Sequence, residues 1–131
     1  VRLTLDTNVL VRAIVADDEE QVESARRVLA ETDEIILTLP ALCELAWVLR
    51  TYYRTPDAQI ASAIRGLVAA DNTVLDEAAV LIGLGVVDAG GDFADGVIAA
   101  SGVAMGADAF VSFDKKAVRL ISDTGLSTRL L

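Results

Sequence analysis

The sequence predicts an α/β domain in which a parallel sheet carries helices on both faces, and three observations point to it. Short apolar runs bounded by turn residues alternate with longer stretches of helical periodicity, in the order β-α-α-β-α-α-β-α-α-β-α-β. Hydrophobic residues make up 53% of the 131, mostly Ala, Val and Leu with 5% aromatic, a composition that suits buried parallel strands. No repeat, low-complexity tract or Pro/Gly/Ser linker interrupts the chain, so one domain over residues 1–131 is expected. A chain of this length buries roughly two-thirds of its unfolded surface, enough for a core without a disulfide or structural metal.

The elements follow in order. Val1–Leu5 reads as a buried strand ending at Asp6, and Asn8–Ala16 has a helical apolar pattern. The acidic run Asp17–Glu20 opens a second helix to about Glu31, and Glu34–Leu39 is an apolar strand closed by Pro40. Pro40 suits a helical first turn, and PALCELAWVLRTYYR continues with helical spacing. Thr55-Pro56-Asp57 breaks that helix and starts another to about Ala70; Asn72–Leu75 is a weak strand. Asp76 reads as the N-cap of a helix weakened by Gly83 and Gly85, and Asp92–Met105 as a helix whose small residues allow close packing. Ala107–Phe113 is a strand ending at Asp114, Lys115–Ile121 a short helix, and Leu126–Leu131 a final edge strand.

Composition removes several chemistries. Without histidine there is no Ser-His-Asp or Cys-His triad and no His-liganded zinc site. Cys43 stands alone, which rules out an internal disulfide framework. No apolar run approaches the roughly 18 residues of a membrane span, and the start lacks the layout of a signal peptide, so a cytoplasmic protein is expected. The first residue is Val1 rather than Met, which suggests trimming or processing. A net charge of −9 and a pI near 4.3 sit badly with nucleic-acid binding unless bound cations and local Arg or Lys groups reverse the field. The mean hydropathy of +0.49 hints at an apolar surface kept for a partner.

Five acids stand out. Asp6 directly follows an apolar strand, where the functional crevice of such sheets lies; it is either the cap of the next helix or, if Thr7 or Asn8 caps, a free carboxylate. Glu44 lies among Leu42, Cys43, Leu45, Ala46 and Trp47, where burial costs several kcal/mol without a partner or a cation. Asp92 and Asp95 are about one turn apart, so their charges repel unless a divalent cation intervenes. Asp92 is equally a helix cap, while Asp95 shares a face with Ile98, Ala99 and Gly102 that looks inward. Asp114 follows a strand as Asp6 does, with a strand-to-helix turn as the plainer reading, and the Ser112 hydroxyl is placed to orient a carboxylate or water. Hard oxygen donors without nitrogen or sulfur select Mg²⁺ or Mn²⁺ and suit in-line phosphodiester hydrolysis.

The segments LDTNVLVRAI, PALCELAWVL, DFADGVIAA and FVSFDKKAV, in this order and spacing, resemble the PIN domain family, with the closest similarity to VapC-type toxin ribonucleases. The resemblance covers essentially the whole chain. It implies a three-layer α/β/α sandwich around a mostly parallel five-stranded sheet, often with the third, second, first, fourth and fifth strands side by side. It places the family's metal-binding and catalytic acids on Asp6, Glu44, Asp95 and Asp114, with Asp92 a frequent additional acid and Thr7, Asn8 and Ser112 in support. Two departures are small: the family commonly has Thr at Ser112 and Ala at Gly96, and neither removes a ligand.

The same resemblance implies an Mg²⁺- or Mn²⁺-dependent endoribonuclease, toxic by cutting cellular RNA, forming a homodimer and blocked by an antitoxin docked over the acids. Arg12, Arg50, Arg54, Lys115 and Lys116 lie near the acids in sequence and are candidates to meet phosphates. Tyr52 and Tyr53 are either base-stacking residues or, more in keeping with their setting, core or dimer contacts. Two other classes compete. A phosphoryl-transfer enzyme with an aspartyl intermediate at Asp6 wants a second acid at position 8, which is Asn. A catalytically silent PIN-like module that binds RNA or protein is opposed by the retained acids.

Overall fold

The computed structural model describes all 131 residues, which fall into two compact units, Val1–Leu75 and Asp76–Leu131. In the first unit β1 (Arg2–Thr4) leads into α1 (Thr7–Ile14) and α2 (Glu19–Glu31), and β2 (Glu34–Ile36) into α3 (Leu39–Thr51) and α4 (Asp57–Ala69), ahead of β3 (Thr73–Val74). The punctuation sets these limits. Asp18 caps α2 by accepting the Gln21 N–H at 3.1 Å, and Thr38 caps α3 through the Ala41 N–H at 3.3 Å, with Pro40 in the first turn where no N–H is needed. The strands form a parallel sheet with β2 in the centre, Leu3 opposite Ile35 and Ile36 opposite Val74. Leu10, Ile35, Leu42, Leu45, Leu49, Ile60 and Ile64 are its most deeply buried side chains.

The second unit runs α5 (Glu77–Asp88), α6 (Phe93–Ala104), β4 (Phe110–Ser112), α7 (Lys115–Asp123) and β5 (Thr128–Leu130). Three aspartates start its helices: Asp76, Asp92 and Asp114 accept the N–H groups of Ala79, Ala94 and Ala117. α5 and α6 are packed on small residues. A methyl on Gly96 would lie 2.8 Å from the Gly83 Cα, and one on Gly83 would lie 2.7 Å from Phe93. Gly83 therefore serves as a packing surface as well as a weak point in helix propensity. Val86, Ala99, Leu120 and Ile121 form a buried cluster, with Phe110 and Leu126 against it.

All twelve predicted elements are present in the predicted order, and the class is α/β with seven helices and five strands in parallel pairs. The single five-stranded sheet is corrected to two, one ordered β1-β2-β3 and one pairing β4 with β5. Every ladder joins strands consecutive in the sequence, and with two or three residues per strand each ladder holds few bonds. The strand neighbours of the expected order are kept within each sheet. No helix is long and apolar enough to cross a membrane.

Candidate active site

In the first unit, Asp6 occupies the N-cap position of α1 with extended backbone (φ −65°, ψ 149°). Its carbonyl accepts the Val9 N–H at 3.0 Å, but its exposed carboxylate makes no cap bond and has no other partner. Of the alternative caps, neither Thr7 nor Asn8 takes the role: Thr7 is the first helical residue, buried to 4% exposure, and Asn8 is the exposed second. Asp6 is thus free of the usual N-cap duty, although it stands in the N-cap place.

Glu44 corrects a prediction. α3 turns Leu42, Leu45, Ala46 and Leu49 inward and leaves Pro40, Glu44, Trp47 and Thr51 on its outer face, at helical spacing. The apolar look of the segment arises because Trp47, on the wet side, is 60% exposed. Glu44 therefore pays no burial penalty, and its side chain is unpaired and open to a ligand.

The basic residues divide sharply. Arg12 donates from Nε to Gln21 at 2.7 Å and from Nη1 to Asp17 at 3.0 Å and to the Tyr53 hydroxyl at 3.2 Å. Tyr53 donates onward to Asp17 at 3.1 Å. The Tyr53 hydroxyl first, then the Asp17 charge, hold the Arg12 guanidinium above its ordinary pKa, so it stays a cation locked into the α1–α2 corner. Arg50 bridges to Asp57 at 2.7 Å across the α3–α4 turn. Arg54, at a left-handed φ of 52°, is exposed and unpaired. Tyr53 thus has a structural post, whereas Tyr52 is 77% exposed and meets Tyr53 edge-on, with ring centroids 4.9 Å apart.

In the second unit, Asp92 caps α6 with one carboxylate oxygen, 3.0 Å from the Ala94 N–H, and is exposed. Asp95 lies half-buried in the first turn of the same helix and is engaged in an interaction of its own. The inward stripe expected beside it is only partly present, since Ala99 is buried but Ile98 is 59% exposed. The face that packs is instead Phe93, Gly96 and Val97.

Asp114 caps α7, one oxygen 3.1 Å from the Ala117 N–H. The Ser112 hydroxyl accepts the Asp114 N–H at 3.0 Å, so Ser112 steadies the backbone of Asp114 rather than its carboxylate. Lys116 donates to the Gly90 carbonyl at 2.7 Å, which ties the start of α7 to the turn that leads into α6. A methyl on Gly91 would lie 2.6 Å from Leu120, so that turn sits directly on α7. The N-termini bearing Asp92, Asp95 and Asp114 are therefore neighbours, and Lys115 is exposed without a partner. Phe113 was not singled out by the sequence, yet it is 80% exposed beside Asp114. Strand alternation, which sets Phe113 on the side opposite Ser112, was the available signal.

The donor chemistry of these acids fits a hard divalent cation, because every candidate is a carboxylate and none is nitrogen or sulfur. No group of three or more His, Cys, Asp or Glu side chains is gathered as a metal cage. Comparison with protein families supplies the class. The PIN domain model matches residues 3–121, a span that crosses both units, and the chain belongs to the PIN domain family. PIN domains are generally nucleases and typically bind divalent metals. No curated protein sequence matches the chain.

Proposed function

We propose that this chain is an Mg²⁺- or Mn²⁺-dependent endoribonuclease that hydrolyses RNA phosphodiester bonds, acting as the toxin of a toxin–antitoxin pair. Membership of the PIN family supports nuclease chemistry, and the four ordered motifs support the toxin type. The observation that carries the reading is the Asp6 carboxylate, left without a partner at the end of a parallel strand in a position whose usual duty is capping.

Asp6, Glu44, Asp95 and Asp114 are the residues that would hold the metal, with Asp92 as an additional acid. When bound, the ion supplies an activated water and neutralises charge on the phosphate. Asp6 and Glu44 come to this task unpaired, whereas Asp114 brings the oxygen not spent on its cap. Ser112 fixes the Asp114 backbone, and Thr7 and Asn8 begin the helix that Asp6 precedes. A chain of net charge −9 repels RNA, so the cation serves binding as well as cleavage. The same field would draw a basic antitoxin segment onto the acids, and the active form is a homodimer.

Cleavage of total RNA with and without Mg²⁺ tests this reading. Asp6→Asn and Asp95→Asn should each lower cleavage at least about a hundredfold and relieve growth arrest, with the circular dichroism of the wild type retained. Full cleavage by both variants, in a preparation free of other nucleases, overturns the assignment. A silent binding module is the second reading, against which the retained acids stand. Titration calorimetry with Mn²⁺ separates the two, since a silent module takes up no specific metal.

A further inference from the structure

Between two pinned residues near the start of α7, the chain leaves an aromatic ring in water. Ser112 is held on one side, its hydroxyl accepting the Asp114 N–H at 3.0 Å and its carbonyl accepting the Leu131 N–H at 3.0 Å. Asp114 is held on the other by its bond to the Ala117 N–H, and Lys116 by its bond to the Gly90 carbonyl. Phe113 lies between them at 80% exposure, more exposed than Trp47 or Tyr52. A phenyl ring on a fixed turn contributes nothing to the core and has little backbone freedom to lose on binding. Two residues on, Lys115 is exposed and makes no hydrogen bond or ion pair, while Lys116 beside it is engaged.

We propose that Phe113 and Lys115 form a nucleotide platform beside Asp114, the Phe113 ring stacking on an unpaired base of single-stranded RNA and the Lys115 ammonium meeting an adjacent phosphate. The proposal rests on the ribonuclease reading and gives its substrate a place to lie. An exposed π-face with a neighbouring unpartnered cation is the chemistry that single-stranded nucleic acid requires. A second copy of this chain would cover the ring but would bring no phosphate to Lys115. Because stacking is tolerant of sequence, the platform positions a strand next to Asp114 without choosing its bases.

The test uses the full chain and fluorescein-labelled oligoadenylate, with binding read by anisotropy and cleavage by gel. Phe113→Ala should weaken binding about tenfold and raise KM by the same factor, with kcat and Tm unchanged. Phe113→Trp should restore binding, and Phe113→Leu, which keeps apolar bulk but no π-face, should not. Lys115→Gln should reduce the slope of log affinity against log salt by about 0.7. Wild-type affinity in Phe113→Ala or in Phe113→Leu overturns the proposal, as does a Phe113→Ala variant whose only change is loss of the dimer. If the wild type binds oligoadenylate through Phe113 but cuts no RNA, the platform stands and the nuclease reading fails. If it neither binds nor cuts, both fall.

Discussion

In the first unit, helices are tied by long polar side chains: Arg12 spans from α1 to Gln21, Asp17 and Tyr53, and Arg50 reaches Asp57 at the start of α4. In the second, α5 and α6 meet where side chains are missing: a methyl on Gly96 would meet the Gly83 backbone, and one on Gly83 would meet the Phe93 ring. The candidate acids follow the same division. Asp6 and Glu44 make no bond, while Asp92 and Asp114 each spend an oxygen on a helix N-terminus. The difference shows that one kind of residue carries separate burdens in the two units. The two candidate carboxylates of the first are free of structural duty, whereas Asp92 and Asp114 of the second also hold their helices in place.

That contrast can be broken by substitution. The largest effect on stability is expected at Gly96→Ala, where the added methyl meets backbone; denaturant unfolding should show a loss of about 1–2 kcal/mol even though Ala favours helix. An unchanged midpoint would mean that α5 and α6 can separate freely. Next comes Asp114→Ala, which should cost about 1 kcal/mol through the lost cap, whereas Asp114→Asn keeps the cap and loses only activity. Equal stability of the two variants would show that the cap contributes nothing and would erase the distinction from Asp6. The smallest effect, and one of opposite sign, is Gly66→Ala on α4, where a methyl meets nothing within 4 Å. Thermal unfolding should show a gain of up to about 1 kcal/mol from helix propensity.

Much of the fold was legible because the punctuation is local. Asp18, Thr38 with Pro40, Pro56, Asp76, Asp92 and Asp114 each stand within a residue or two of a helix start, and a cap acts on the N–H groups that follow it. The division into two sheets was not legible, since strand pairing depends on which edges meet and the short strands look alike in one dimension. Glu44 was misjudged for a related reason. α3 carries apolar residues on both faces, so its period gives little hint that Trp47 and Glu44 share the wet one. Gly83 was visible only as a flaw in a helix, because the closeness of its partner across the interface leaves no trace in its own neighbours. Among the site residues, the strand-end positions of Asp6 and Asp114 were readable, but which carboxylate is spent on a cap was not.

The glycine contact has a consequence for the acid that stands next to it. Asp95 directly precedes Gly96, so the register of α6 on α5 also sets the height at which that carboxylate leaves the helix. A methyl at either glycine would displace Asp95 while every functional group stayed intact. In a complete mutational map of activity, residues 83 and 96 would then stand out as sensitive columns, although neither has any side-chain chemistry to lose. Geometric precision in this protein is written partly in atoms that are not there.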